Sequence, residues 1–392
     1  MSDEFKLPID SLTPIWIAKN SALEQLCAGW NQQSWLAVDT EFLRTNTYYP
    51  IAALLQIYDG EGIYFIDPKT ITHWQPLAAV MANPAVCKAL HACSEDLEIF
   101  ALLFGGVPVN MFDTQVAAAM VGQGFSVGYA RLVEQMLGVR LPKDETRSDW
   151  LVRPLSHAQT LYAAWDVYYL LPIAQQLHSK LVEHGRLTWM EEDCISLLTH
   201  SQDAQDAKLS HLRLKGLQRM SRREQAIAQR LCHWREVVAQ DTNLPRNHVV
   251  KESALYQLAQ SKPRHISQLR QIEDLPEKAI RRYGEDIIEL IQAVLDQSDD
   301  QLTLPQPRPL TGSQQQLVKD LRQWVEQKAQ SLDVAPEVLA RKRDFEFLAR
   351  GMPADEPLPS ILHGWREQVV GNALLAFSQR TGDAALPLPF DV

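Results

Sequence analysis

The 392-residue chain has no excess of positive charge, no closely spaced cysteine pair, no phosphate-cradling glycine loop and no long apolar run. Each absence narrows what it can be. Acidic residues outnumber basic ones, 48 to 38, for a net charge of −10 and a pI of about 5.6. Such a chain does not advertise a polyanionic partner, although net charge says little about a local basic groove. The five cysteines, at positions 27, 87, 93, 194 and 232, include no C-x-x-C pair and are odd in number. That argues against a zinc site or a disulfide framework and suits a reducing compartment. There is no G-x-x-x-x-G-K-[ST] motif, nor any Gly-Lys pair, which excludes a P-loop nucleotide hydrolase, helicases included. The most apolar stretch, 161–174, is interrupted by Asp166 and Pro172, so no membrane span is expected. The first residues, Met1 to Lys6, begin acidic without an apolar core, so no signal peptide is visible and the expected location is cytoplasmic.

What is present reads as ordinary globular protein, 46% hydrophobic and 22% charged, of a length for two or three domains. A strand over 15–17 leads to a helix with Ser21 as N-cap, and a second strand covers 35–42. The apolar runs 54–58 and 63–67 flank Asp59-Gly60 and predict an antiparallel hairpin. A helix over 72–83, a short apolar strand over 86–91, a helix from an N-cap at Ser94 to Phe104, and a strand over 107–112 follow. After Asp113 comes a helix of small residues, and the spacing over 155–185 predicts one long helix kinked at Pro172. Strands alternating with helices predict an α/β domain over 1–205. Beyond it the pattern turns helical and charge-rich, with small bundles expected over 217–300 and 312–380. The two share a similar stretch, Leu231–Glu236 and Leu321–Glu326. The Pro-rich segment 304–309 reads as a linker and the tail 387–392 as loosely held.

The chemistry begins in Trp35-Leu36-Ala37-Val38-Asp39-Thr40-Glu41-Phe42. On a strand, residues two apart share a face, so Asp39 and Glu41 stand side by side at the end of an apolar run. Two ionised carboxylates that close repel, and a hard divalent cation is the simplest compensation. A strand end that reaches solvent would explain the pair equally well. Asp96 falls in the first turn of the helix from Ser94, where the helix dipole alone favours an acid. Asp166 is harder to dismiss. Its helix is apolar nearly all round, and no Arg or Lys lies within one turn. Tyr162 precedes Asp166 by four residues and faces the same way.

Asp39-x-Glu41, His91-Ala-x-Ser94-x-Asp96 and Tyr162-x-x-x-Asp166 resemble the three exonuclease motifs of the DEDD superfamily, in its Tyr-containing subclass. The flanking segments Asp39–Pro50, His91–Glu98 and Arg147–Leu151 are similar to the bacterial ribonuclease D family, and the two C-terminal bundles to that family's paired HRDC domains. The resemblance implies a ribonuclease H-like exonuclease domain, a mixed sheet flanked by helices, followed by two all-α HRDC-type bundles. It implies 3′→5′ exoribonuclease activity on RNA 3′ ends, notably tRNA precursors, releasing nucleoside 5′-monophosphates. It also implies two divalent ions, Mg²⁺ or Mn²⁺: one among Asp39, Glu41 and Asp166, the other bridged by Asp39 and held by Asp96 largely through water. Tyr162 would orient the attacking water, since a phenol near pKa 10 is a poor base.

An acidic chain that binds RNA needs a local basic track. The run Lys208, His211, Arg213, Lys215, Arg219, Arg222, Arg223 and the cluster Arg341–Arg343 are candidates, although such runs are also ordinary solvated helix faces. Arg44, Tyr48 and Tyr49 are candidates to contact the substrate strand by charge and stacking. Two other readings stay open: a 3′→5′ DNA exonuclease, because the chemistry acts on the phosphate, and a nucleic-acid-binding scaffold, against which the complete carboxylate set argues. A monomer is expected.

Overall fold

A computed structural model describes residues 13–142, 148–302, 309–352 and 358–379. The N-terminal hexapeptide, Arg147, most of the Pro-rich linker and the C-terminal tail lie outside the described residues.

Six strands form one mixed sheet: β1 (Ile15–Ile17), β2 (Trp35–Leu43), β3 (Ile51–Tyr58), β4 (Ile63–Ile66), β5 (Cys87–Leu90) and β6 (Met111–Asp113), in the order β1-β4-β3-β2-β5-β6. The hairpin is as expected. β3 and β4 are antiparallel with Leu55 opposite Ile66, and the Asp59 carboxylate accepts from the amides of Glu61 and Gly62 to close the turn. β1 runs parallel to β4, β2 to β5 and β5 to β6. β2 is therefore central, and Leu36, Ala37 and Val38 on it are buried. Helices flank the sheet, as the α/β reading required.

Several element boundaries differ from expectation, each for a local reason. The first helix spans Asn20–Trp30 with Lys19, not Ser21, at its N-cap. Asn20 instead ties the helix start to a loop, its side-chain oxygen accepting from the amides of Thr72 and His73. The next motif helix does run Ser94–Phe104, but the N-cap is Cys93 and Ser94 is its first residue. The expected long helix is two, His157–Tyr168 and Leu170–Glu183. Pro172 falls in the first turn of the second, where the missing N–H has no intrahelical partner to lose.

The described chain divides into two compact units. One comprises 13–42, 52–198 and 310–379; the other comprises 43–51 and 199–309. These compact units do not coincide with the expected segments 1–205, 217–300 and 312–380, in two respects. First, the last helical region shares one core with the sheet: Leu321, Val325, Leu348 and Leu374 belong to the same buried cluster as Leu36 and Leu90. Within this unit Trp189 stacks on Trp365 at 4.2 Å, and Arg366 makes two bonds, 2.5 and 2.6 Å, to the Asp193 carboxylate. Second, the segment between β2 and β3 joins the other unit, whose core is built by Ile227, Leu231, Leu255, Leu258, Ile287 and Ile291. Among the described residues no helix is long and apolar enough to cross a membrane.

Candidate active site

Asp39 and Glu41 follow the buried start of β2 and are half-buried, with Thr40 between them turned into the protein. Asp96 sits in the first turn of the Ser94–Phe104 helix and is buried. The tight entry to that helix is held by Asp113, 1% exposed, whose carboxylate accepts from the amides of Ala92 and Cys93 at 3.2 and 2.9 Å. Ala92 has a left-handed backbone, φ 55°, so the turn needs such a hold. Tyr162 and Asp166 share a face of the His157–Tyr168 helix. A capping box fixes its start, with the Ser156 hydroxyl accepting from the Gln159 amide and the Gln159 side chain accepting from the Ser156 amide.

These elements bring one carboxylate oxygen each of Asp39, Glu41 and Asp166 within 4.8 Å of one another, the one such acidic or thiol-imidazole group among the described residues. Asp96 stands outside that trio but close enough to Asp39 for their charges to act on each other, and the Thr40 hydroxyl donates to it. The Tyr162 hydroxyl is hydrogen-bonded to Asp166.

Burial is the main influence on all four carboxyls, and the charges acting on them are chiefly one another's. Burial and then the Asp166 charge hold Asp39 far above the usual carboxylate range. Burial with the charges of Asp39, Asp166 and Asp96 pushes Glu41 up to about 10. Burial raises Asp166 to about 8 despite the lowering hydrogen bond from Tyr162, and burial with Asp39 raises Asp96 against the lowering bond from Thr40. Burial and the same carboxylates raise the Tyr162 phenol, which therefore stays protonated. A hard divalent cation fits this donor set. The ligand atoms are clustered carboxylate oxygens, and among the described residues no thiolate or imidazole joins the group.

Beside Asp166 and Tyr162 opens a cavity of about 450 Å³ walled by Tyr129, Leu141, Pro142 and Trp165, with Arg131 also lining it.

The 3′-5′ exonuclease family matches residues 14–182, and the HRDC domain family matches residues 224–291. A ribonuclease D of Pseudomonas paraeruginosa is 42% identical over 364 residues, 92% of this chain and 96% of its own. The chain belongs to the ribonuclease D family. A second ribonuclease D, from Cronobacter turicensis, is 35% identical over 371 residues, 93% of this chain and 99% of its own. The crystal structure of Escherichia coli ribonuclease D superposes with a TM-score of 0.87 at 32% identity, covering 95% of this chain and all of that one. As a ribonuclease D, the chain is a 3′→5′ exoribonuclease.

The expected RNA contacts fare differently from the carboxylates in this ribonuclease D. Tyr48 does not offer a stacking face. It is 5% exposed, and its hydroxyl donates to Glu236 at 2.6 Å. The Tyr49 amide donates to Asn243 and its ring packs edge-on against Tyr48. Arg223 is turned to the end of the Glu277–Leu295 helix, donating to the carbonyls of Val294 and Gln297 and to Asp299, and Arg222 donates to the Leu302 carbonyl. The last carbonyls of a helix lack intrahelical donors, and a guanidinium supplies them. Arg213 pairs with Glu236. Arg44 lies on an exposed stretch.

Three residues of the site carried no signal in the sequence reading. Thr40 reads as strand filler until Asp96 is beside it. Asp113 reads as a local helix cap, which it is, accepting from Gln115 and Val116, but not as the clamp of a turn twenty residues away. Tyr129 donates to the Trp165 carbonyl at 2.8 Å, and the charges of Asp166 and Asp39 reach its hydroxyl.

Proposed function

We propose that this ribonuclease D removes nucleotides singly from the 3′ ends of structured RNAs, tRNA precursors among them, and releases nucleoside 5′-monophosphates. Asp39, Glu41, Asp96 and Asp166 would be its metal ligands and Tyr162 its water-orienting group, as in the Tyr-containing DEDD subclass. The observation that carries the reading is the carboxylate trio within 4.8 Å, on which, among the described residues, the charges that chiefly act are other carboxylates, an arrangement costly to keep unless a metal completes it. The substrate class is drawn from the E. coli relative, described as an exoribonuclease involved in structured RNA processing.

Asp39, Glu41 and Asp166 would hold one Mg²⁺ or Mn²⁺, and Asp39 with Asp96 a second. Bound there, the ions supply charge neutralisation at the phosphate and acidify the attacking water. The chain's own groups do the rest. Tyr162, protonated at neutral pH, gives its one O–H to Asp166, and its phenol oxygen would accept from the attacking water and fix that water's direction without acting as the base. The cavity beside it, walled by Tyr129 and Trp165, suits the planar base of the terminal nucleotide. We infer a monomeric enzyme in a reducing, cytoplasmic setting, the setting in agreement with the five free cysteines.

A second HRDC-type bundle over 312–380 is supported by an internal echo. The cap at Ser221, the left-handed helix end at Asn243 and the helix starts at Arg246 and Glu252 recur at the same spacing as Thr311, Asp333, Pro336 and Lys342.

The test is a tRNA precursor with a 3′ extension, followed by gel and by chromatography of the products. Wild-type protein should shorten it stepwise to 5′-mononucleotides, and Asp39→Asn should leave it intact. Tyr162→Phe should lose roughly 10²-fold in rate while retaining Mn²⁺ binding. Full turnover by Asp39→Asn would refute the site.

A further inference from the structure

Just before the helix that carries Tyr162 and Asp166, the chain makes a turn over 149–152 in which four consecutive carbonyls each accept from a side chain. Asp149 accepts from Gln159 at 3.2 Å, Trp150 from Arg153 at 2.8 Å, Leu151 from Lys69 at 2.8 Å and Val152 from Arg153 at 2.9 Å. Arg153 also donates to the Ala53 carbonyl at 2.6 Å and twice to the Asp67 carboxylate, at 2.9 Å each. A guanidinium has five N–H groups, and all five are used here. The Arg153 and Asp67 side chains are 21% and 9% exposed, so neither charge could be left alone cheaply. Gln159 belongs to the capping box at the start of the His157–Tyr168 helix, so the turn and that helix are tied together. All of these residues lie within the sheet-bearing unit. A surface turn can leave its carbonyls to water. Four in a row, held from three places in the chain, fix a single geometry.

What that geometry places is Trp150, 1% exposed. Among the described residues its indole N–H meets no acceptor, so the ring is located by its backbone and its packing and not by its nitrogen. The ring lies 6.0 Å from the Tyr162 ring at an angle of 45°, within the range of aromatic contact. Tyr162 also lines the cavity beside Asp166, so it has open space at one surface and the buried Trp150 at another.

We propose that Trp150 is a positioning residue for the exonuclease reaction: pinned by Arg153, Lys69 and Gln159, its ring backs the Tyr162 ring and keeps the Tyr162 hydroxyl where it meets both Asp166 and the attacking water. A tyrosine ring turns about its side-chain bonds, and the open cavity would let it swing away from Asp166. The indole removes that freedom without touching substrate or metal. A displacement of about 1 Å at a reacting centre costs on the order of 10²-fold in rate, so a small swing is enough to matter. The inference rests on the reading of Tyr162 as the water-orienting group.

A double-mutant cycle separates positioning from stability. Trp150→Leu removes the backing ring. Arg153→Lys leaves Trp150 in place and replaces the five-donor fork with a three-donor ammonium, so it decides the matter if Trp150→Leu does not fold. Leu77→Ala, at a fully buried position of the Gln75–Ala82 helix, is the stability control. Each is made in the full chain, alone and together with Tyr162→Phe. The proteins are compared for kcat and KM on a labelled RNA oligomer, for Mn²⁺ dissociation constant by electron paramagnetic resonance, and for melting temperature. Trp150→Leu and Arg153→Lys should each lower kcat about tenfold with KM and Mn²⁺ affinity unchanged. In the Tyr162→Phe background the same changes should cost less than about twofold, because the hydroxyl they position is already gone. Leu77→Ala should lower the melting temperature and leave kcat alone. Wild-type kcat in both Trp150→Leu and Arg153→Lys would overturn the proposal. So would an equal loss in the two backgrounds, which marks a general structural effect, or a fall in Mn²⁺ affinity, which moves the effect to the carboxylates. Tyr162→Phe by itself distinguishes the failures: if it is impaired and the cycle shows no coupling, the positioning claim alone falls, and if it turns over like wild type, the reading of Tyr162 falls and takes this claim with it.

Discussion

Asp39, Glu41, Asp96 and Asp166 keep protons in the folded, metal-free chain that they release on unfolding, where carboxyls titrate near pH 4. The folded state therefore binds more protons than the unfolded state from about pH 4 upward, through the values of about 8 for Asp166 and about 10 for Glu41. Stability must fall as pH rises across that window. In EDTA the melting temperature should drop between about pH 5.5 and pH 8.5, and Asp166→Asn should flatten the drop, raise the melting temperature at the upper end and abolish turnover. Mg²⁺ should raise the melting temperature, more at the upper pH than the lower, because it displaces those protons. A wild-type pH slope unchanged in Asp166→Asn would contradict this. Asp39, Glu41 and Asp166 were legible because they are anomalous in their own stretches, an i, i+2 acid pair on an apolar strand and an acid on an apolar helix, whereas Asp96, an acid that a helix start favours anyway, was legible only through the motif it completes. Thr40, Asp113 and Tyr129 were not, because their partners are residues distant in sequence, and a hydroxyl or a capping acid looks the same whichever way it serves.

At the scale of elements, periodicity and turn chemistry placed the strands of the hairpin and the helix from Ser94, while helix starts and the break at Tyr169 escaped. Pro172 signalled a disturbance, but whether a proline kinks a helix or opens a new one depends on where the preceding turn packs, and Tyr169 is buried there. The helix at 187–205 illustrates what packing adds. Its Asp193 takes two bonds from Arg366 and one from the Trp365 indole, with the two charged side chains only 17% and 12% exposed. Asp193→Ala leaves a largely buried guanidinium without its partner, and urea unfolding should show a loss of about 3 kcal/mol. Unfolding indistinguishable from wild type would mean the pair is not what joins these helices.

For the whole molecule, the order of α/β domain and helical region could be read from the sequence, but the borders of the compact units could not. Composition marks a linker at 304–309; it does not reveal that Leu321, Val325 and Leu374 complete the core under the sheet. A chain ended at residue 309 should therefore expose that core, bind a hydrophobic dye and melt at lower temperature than the full chain; a truncated chain as stable and dye-free as the full one would place the sheet's core elsewhere. The central claim, a metal-dependent exoribonuclease centred on Asp39, Glu41 and Asp166, meets its most direct test in one assay. RNA and DNA of one sequence, each labelled at the 5′ end, are incubated with the protein in Mg²⁺ and in EDTA. Stepwise shortening of the RNA from its 3′ end, in Mg²⁺ only, is the predicted result. Shortening that persists in EDTA, or that consumes only the DNA, would contradict it.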